Sequence, residues 1–514
     1  MPFARIHSAQ TDGLEARVVD IEIDLSRGLH SFSIVGLPGK AVEEARDRVG
    51  AALKNSGFSS PKHSNKKVVI SLAPADLRKE GPSFDVGIAL SYLLATEEIS
   101  FNPKGRIFLG ELALDGNIRP IKGALVLARS AQAAGFLELF LPQENAKEAS
   151  LIEGIRVFGA SSLREITEHL DEQRVARNAI VPTPHTEVRR SEPEVSVDFS
   201  DIIGQERSKR ALQIAVAGRH NILLFGPPGT GKTMLAEASI GICPPLSFAE
   251  SLETTAIHSV AGILREEIIS TPPFRRPHHS SRAQALIGGG AIPKPGEITL
   301  AHNGILFLDE FPEFDKNVID SLREPLEEGR IAVSRAKCTS VFPARFMLIA
   351  AMNPCPCGLF GTKERQCRCP ALSLSKYQEK ISGPVADRID LWSEVSPVSP
   401  ESHLQKKRPL SSLCIRKSIE DARAKQAARY QKHFKDERYR TNSDIPSKEI
   451  GEIVRLSPEL GKILAQAGTK LRLSTRSHYK IIKIARTIAD LANAEEIEKE
   501  HLFEAFGYRP REKR

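Results

Sequence analysis

Between Val19 and Leu25 the chain alternates strictly: Val19, Ile21, Ile23 and Leu25 are apolar, and Asp20, Glu22 and Asp24 are acidic. Successive side chains of a strand point to opposite faces, so a period of two predicts a half-buried β-strand. Val42, Ala45, Val49, Ala52 and Leu53 recur instead at helical spacing, which places them on one stripe of an amphipathic helix. Residues 68–72 are again strand-like. The pattern then predicts a helix near 86–94, a strand near 107–109, a helix near 123–134 and a strand near 137–141. Strands and helices alternating at this spacing predict an α/β domain over residues 1–171. Periodicity then fades, and Pro182, Pro184 and Pro193 stand among scattered charges, the composition of a linker at 172–197. A second α/β unit is expected over 198–397, followed by a basic, helix-rich tail over 398–514.

Within the second unit, Gly226-Pro227-Pro228-Gly229-Thr230-Gly231-Lys232-Thr233 fits the pattern G-x-x-x-x-G-K-[ST] without a gap. An apolar run of strand length precedes it at 221–225, and helical composition follows at 234–238. A strand that turns tightly into a helix N-terminus aims backbone N–H groups and the positive end of the helix dipole at one point. Gly229 and Gly231 let the backbone close around an anion. Lys232 can reach the β- and γ-phosphates, and the Thr233 hydroxyl can hold Mg²⁺. This context predicts nucleoside triphosphate binding.

Two further apolar runs end in polar residues. The run at 304–308 leads into Asp309 and Glu310. At the C-terminal end of a buried parallel strand, the two carboxylates would stand beside the phosphate loop. Asp309 would then help to hold Mg²⁺ and Glu310 would polarise the attacking water. The run at 346–352 ends at Asn353, which could orient water or touch the γ-phosphate. Phosphoryl transfer also calls for a cation, worth roughly 10³–10⁵ in rate. Arg388 and Arg476 are the candidates, although composition does not separate them from the other arginines.

At 514 residues the chain is too long for one core. With 41% apolar and 26% charged residues, it reads as globular. No apolar stretch approaches the ~20 residues of a membrane span, and Met1–His7 lacks the apolar core of a signal peptide, so a cytoplasmic protein with no membrane partner is expected. The net charge of +8 leans towards a polyanion. Twelve Lys/Arg face four Asp/Glu between His403 and Arg440, yet a charge run is equally a solvated helix face.

The order of phosphate loop, Asp-Glu strand, Asn-ended strand, Asp387-Arg388-Ile389-Asp390 and a late helical arginine resembles the AAA+ ATPases, and among them the magnesium-chelatase-like branch. Several stretches are most similar to the competence protein M group, or YifB family, over almost the whole chain. They are Ser33-Ile34-Val35-Gly36-Leu37-Pro38, Lys79-Glu80-Gly81-Pro82-Ser83-Phe84-Asp85, Arg276-Pro277-His278-His279-Ser280, His302-Asn303-Gly304, Ala350-Ala351-Met352-Asn353-Pro354-Cys355-Pro356-Cys357-Gly358 and Ala485-Arg486-Thr487-Ile488-Ala489-Asp490-Leu491. The resemblance implies ATP and Mg²⁺ as cofactors and a P-loop α/β core with a C-terminal helical lid. It implies that Asn353 is sensor 1, that Arg388 is an arginine finger reaching a neighbour's nucleotide, and that Arg476 is the lid arginine of sensor 2, assigned to the same chain's nucleotide. A finger acting in trans implies a ring, and the family implies a homo-hexamer that drives branch migration of DNA in recombination during natural transformation.

Residues 78–83 resemble the loop carrying the nucleophilic serine of Lon-type Ser-Lys proteases, and residues 115–123 resemble the turn before their catalytic lysine. Aligned on Pro120-Ile121, the lysine position falls on Leu125. A serine hydroxyl without an adjacent base is a poor nucleophile, so a ribosomal-S5/Lon-protease-like α/β domain without proteolysis is expected.

Seven cysteines are present, and Cys355, Cys357, Cys367 and Cys369 fall within fifteen residues. Four thiolates from two short knuckles could close a tetrahedral zinc site, although each C-x-C is tighter than the usual spacing and free thiols are the alternative. Adjacent His278 and His279 are expected to serve a loop rather than a metal. Two segments are the candidates for DNA contact: residues 274–295, with Arg275, Arg276 and Arg282, and a hairpin near 330–337, with Arg335 and Lys337. A ring moving along DNA holds it mainly by phosphate contacts, and one Trp and six Tyr leave little stacking capacity, so weak sequence preference is expected. These arginines are equally readable as surface or intersubunit charges. An ATP-driven DNA motor leads these readings. A chelatase-type motor remodelling a protein partner is the alternative, and an ATP-dependent protease stands behind both.

Overall fold

Two long antiparallel strands open the chain, β1 (Phe3–Asp12) and β2 (Glu15–Arg27), paired from Phe3 opposite Asp24 to Asp12 opposite Glu15. The alternation in β2 is realised as expected, with Val19, Ile21 and Ile23 fully buried. In the computed structural model, residues 3–509 are described apart from 64, 174–177, 188–192, 194, 291–292, 336–337, 361–365, 382, 399–409, 435–438 and 472. The chain divides into two compact units, Met1–Arg189 with Ser251–Ile269, and Arg190–Glu250 with Ser270–Arg514.

In the first unit, β3 (Ser31–Val35), β4 (Lys66–Ala73), β5 (Arg106–Phe108), β6 (Glu138–Pro142) and β7 (Arg156–Ala160) complete a seven-stranded mixed sheet in the order β3-β4-β2-β1-β5-β6-β7. Helices Ala45–Asn55, Asp85–Ala95 and Ala124–Ala133 lie at the predicted positions. The first of them starts three residues late, behind a short separate turn at Lys40–Glu43. Strand β1 carries no apolar period because Ser8 and Gln10 are buried in it. The Gln10 amide accepts from Glu80 N–H at 3.0 Å and donates to the Arg78 carbonyl at 2.9 Å. Asp85 is completely buried and is held by Arg48 at 2.7 and 3.0 Å. Its burial outweighs that pairing and raises its pKa to about 6.

Sequence patterning assigned 251–269 to the ATPase stretch, but the structure places it in the first unit. Ala256 and Ile268 share a buried cluster with Leu125, Val126 and Leu151, and Gly123 N–H donates to the Ser259 carbonyl at 3.2 Å. The segment follows its apolar face, which alternation along one stretch of chain does not reveal.

The second unit is built on a parallel sheet. Its strands are β8 (Ile222–Phe225), β9 (Phe274–Arg275), β10 (Ile305–Leu308), β13 (Met347–Met352) and β14 (Leu391–Glu394), in the order β9-β10-β13-β8-β14. Between β10 and β13, a separate antiparallel hairpin joins β11 (Arg330–Arg335) to β12 (Cys338–Pro343). Strands β8, β10 and β13 are continuous apolar runs, as strands of a parallel sheet buried on both faces are. The α/β core and the helical tail, expected as separate domains at 397/398, share one hydrophobic core. Ala211, Leu212 and Ala215 of helix Glu206–Gly218 pack with Ile419 of helix Ser412–His433 and with Ile484 and Ile488 of helix Thr475–Leu491. Among the described residues no helix is long and apolar enough to cross a membrane.

Candidate functional site

All five parallel strands end on one edge of the sheet, the edge where α/β folds place ligands. The phosphate loop leaves β8 there and runs directly into helix Lys232–Ala238. Gly229 and Gly231 have φ of 77° and 88°, left-handed values that glycine adopts without strain. A Cβ on Gly226 would stand 2.1 Å from the Val395 carbonyl oxygen, so the strand end and β14 meet backbone to backbone. Gln205 clamps the loop from outside, its amide donating to the carbonyls of Thr230 at 3.2 Å and Ser396 at 2.7 Å.

The buried Lys232 amine donates to the carbonyls of Gly226 and Pro227 at 2.8 and 2.7 Å and to Asn353 Oδ1 at 3.1 Å. Burial lowers its pKa, and the Asp309 charge pulls the other way. The Thr233 hydroxyl donates to Asp309 Oδ2 at 3.0 Å. A hydroxyl beside a carboxylate is a donor set that fits Mg²⁺, a hard cation that keeps several waters and shares the substrate's phosphates. Lys232, Thr233, Asp309 and Asn353, far apart in sequence, therefore converge on one edge.

Two groups that sequence reasoning placed elsewhere, Arg276 and His279, join them. Arg276, expected on DNA, donates to Asp309 Oδ2 at 3.0 Å and Glu237 Oε1 at 2.8 Å and lies over the Phe307 ring at 5.3 Å. Arg275 grips Glu297 at 2.6 and 2.8 Å. Both guanidiniums are thus engaged on carboxylates of their own chain. His279 stands 3.1 Å from Glu310 Oε2, and Glu310 itself has a left-handed φ of 51°. The clue in the sequence was Arg276-Pro277-His278-His279 as a block, but its target lies some thirty residues on. Arg282 is exposed at the start of helix Ala283–Ile287. Arg335 ends β11, but its side chain and the whole of Lys337 lie outside the described residues.

Arg388 and Arg476 do not join the phosphate loop. The buried Arg388 pairs with Glu327 and the Pro384 carbonyl, and Arg476 meets the other oxygen of Glu327 at 3.1 Å. They line a cavity of about 500 Å³ with Asn221, Phe346 and Asp390. Those three residues lie just before β8, β13 and β14, at the opposite, N-terminal edge of the sheet. Arg476 therefore lies at the edge opposite its own chain's phosphate loop, with the length of the strands between it and the nucleotide it was expected to serve.

At the end of β13 the four cysteine sulfurs lie within 4.8 Å of one another. Cys355 Sγ is 3.3 Å from Cys357 Sγ and 3.7 Å from Cys367 Sγ, and Cys357 and Cys367 are 3.6 Å apart. Sulfurs held at the usual zinc–thiolate length on one tetrahedral ion stand about 3.8 Å apart. The Leu359 N–H, then the Cys355 thiol, draw the Cys357 thiol down to about 6. In the first unit, Ser83 donates to the Ala9 carbonyl at 3.3 Å, while Leu125 is buried in an apolar cluster.

Three family models match: "Subunit ChlI of Mg-chelatase" over residues 21–145, "Magnesium chelatase, subunit ChlI" over 198–403 and "Magnesium chelatase, subunit ChlI C-terminal" over 410–509. The chain is 42% identical to Competence protein ComM of Haemophilus influenzae, across 99% of this chain and 98% of that one. The chain belongs to the ComM/YifB family. YifB of Salmonella typhimurium is 41% identical over 99% of this chain and 97% of its own. Lon protease 2 of Bacillus subtilis is 30% identical over 148 residues, 27% of this chain. Membership makes the second unit an AAA+ ATPase of the magnesium-chelatase-like branch and implies ATP and Mg²⁺ at the edge where Lys232, Thr233 and Asp309 meet.

Proposed function

We propose that this ATPase is the protomer of a hexameric ring that moves branched or single-stranded DNA with little sequence preference, acting in recombination during natural transformation. The full-length similarity to a competence protein supports the biological role. One observation supports the ring: Arg388 and Arg476 share Glu327 at the edge opposite the phosphate loop. A cation needed at the γ-phosphate but held at the far edge can serve only a neighbour's nucleotide. In this reading Lys232 and Asn353 hold the γ-phosphate, and Asp309 and Thr233 hold Mg²⁺, which neutralises charge on the phosphates. Glu310 takes the proton of the attacking water, and Arg388 and Arg476 of the adjacent subunit stabilise the transferring group. The four thiols hold zinc. DNA contact falls to Arg282 and the β11–β12 hairpin, since Arg275 and Arg276 are engaged within the chain. The protein works in the cytoplasm.

Unwinding of a synthetic four-way junction, with and without ATP, tests this function. Product that accumulates only with ATP supports it, and an intact junction alongside active ATP hydrolysis overturns it. The family models favour a second reading, a chelatase-type motor remodelling a protein partner. Hydrolysis indifferent to branched and single-stranded DNA supports that alternative.

A further inference from the structure

We infer that the four-cysteine knuckle is a metal-closed brace for the γ-phosphate sensor and the phosphate loop, so that zinc sets nucleotide affinity. The inference rests on the zinc reading of the thiols, and it concerns what that site holds in place.

Both chain segments that leave the cysteine cluster lead to Asn353. On one side, Cys355 lies two residues beyond Asn353, is buried, and accepts at its sulfur from Phe360 N–H at 3.2 Å. On the other side, Cys369 is followed at once by Pro370, which caps helix Ala371–Glu379. That helix carries the buried Tyr377, beside Asn353. Burial raises the Tyr377 pKa against the smaller downward pull of the Asn353 backbone N–H, so the group stays a phenol at neutral pH. Asn353 thus lies between its own chain on one side and Tyr377 on the other, and a metal on the four sulfurs would tie these two neighbours together.

The first knuckle also touches the phosphate loop. Its turn closes with Gly358 N–H donating to the Cys355 carbonyl at 2.9 Å. Gly358 has φ of 77°, and a Cβ there would lie 2.6 Å from Pro228 Cδ and 3.0 Å from its Cγ. The knuckle backbone therefore seats directly on the ring of Pro228, within the loop that cradles the phosphates. Lys232 and Asn353 meet at 3.1 Å, so a shift of the knuckle moves both ends of that contact. Without a metal the turn is held by the Gly358 and Phe360 N–H bonds to Cys355, whereas a tetrahedral ion would also fix all four sulfurs to a few tenths of an ångström.

The full-length protein, purified without chelator, is assayed for zinc by elemental analysis and for affinity towards a fluorescent ATP analogue. About one zinc per chain is expected. The double variant Cys367→Ser, Cys369→Ser, altered in the pair remote from Pro228, is expected to lose the metal. Its nucleotide binding should weaken about tenfold or more, with unchanged far-UV circular dichroism. Gly358→Ala keeps every thiol but drives a methyl into Pro228, so it should retain zinc and still bind nucleotide more weakly. Wild-type protein free of zinc overturns the metal reading. Zinc present in the wild type, with affinity unchanged after its loss, overturns the brace and leaves the metal site standing. If the thiol variant does not fold, full nucleotide affinity in zinc-loaded Gly358→Ala overturns the brace on its own.

Discussion

The two edges of the parallel sheet carry comparable charge and opposite degrees of completion. At the C-terminal edge each donor has its task beside it: the Lys232 amine lies on the phosphate loop, and the Thr233 hydroxyl and the Arg276 guanidinium lie on Asp309. At the N-terminal edge Arg388 and Arg476 share one glutamate, with no phosphate loop on that side. The same backbone thus offers an assembled binding site on one side and, in the proposed ring, one donated to a neighbour on the other. In the proposed ring, arginines held a strand's length from their own phosphate loop would serve a neighbour's nucleotide rather than that of the chain that carries them.

Mixed rings strike that comparison hardest. Arg388→Ala protein should bind ATP nearly normally but hydrolyse it roughly 10³-fold more slowly, because transition-state charge goes uncompensated. Lys232→Ala protein should fail at its own site while keeping both arginines. Mixing the two should restore part of the steady-state ATPase rate, and mixing Arg476→Ala with Lys232→Ala should do the same. Recovery with Arg388→Ala but none with Arg476→Ala would return Arg476 to its own chain's nucleotide.

Glu310→Gln tests the finished edge. Turnover should fall by roughly 10³-fold while ATP binding persists, since proton acceptance is lost and Lys232 and Asp309 remain. A nucleotide trapped on the protein after gel filtration is the expected sign, and loss of binding equal to that of Lys232→Ala contradicts the assigned role.

Glu250 provides the structural contrast at the donated edge. Its burial would raise its pKa, but Arg219 at 3.5 Å, Arg440 at 3.2 Å and the Ser247 N–H outweigh this and hold it down at about 2. A depressed carboxylate stabilises the fold above its unfolded pKa, and that contribution fades as pH falls from about 4.5 towards 2. Glu250→Gln should therefore cost on the order of 3 kcal/mol at neutral pH, read by denaturant unfolding. The gap to wild type should close as the medium is acidified through that window, and a constant gap would mean that the charge is not its source.

His279→Ala should have the smallest effect, about a tenfold drop in kcat with unchanged ATP affinity, from a sub-ångström loss of aim at Glu310. Partial rescue by His279→Gln separates aiming from packing, and a fall in affinity with kcat intact would remove His279 from that task.

What the sequence disclosed and concealed follows from the range of each signal. The phosphate loop and the strands ending at Asp309 and Asn353 are local patterns of about ten residues, and all three lie where apolar runs and turn chemistry put them. Helix Asp85–Ala95 was equally legible. Strand β1 was not, because its inward positions include Ser8 and Gln10, whose partners come from elsewhere. Arg276 and His279 looked like free basic groups since the carboxylates that engage them lie 31 to 39 positions away. The shared hold of Glu327 on Arg388 and Arg476 spans 61 and 149 positions, and no composition or period encodes such a meeting. The four cysteines were legible as a cluster, but their seating on Pro228 was not, because Gly358 makes that contact by lacking a side chain.

One carboxylate holding two guanidiniums is also a placeholder. The Arg388 hydrogen bond, with the charges of Arg388 and Arg476, lowers the Glu327 pKa and favours its ionised form. In the proposed ring, a neighbour's triphosphate must displace Glu327 to reach either arginine. Subunit association and nucleotide loading then draw on the same exchange, and linkage requires that each strengthen the other by an equal factor. Dilution would unload nucleotide, and nucleotide would resist dilution, so ring lifetime becomes a readout of cellular ATP.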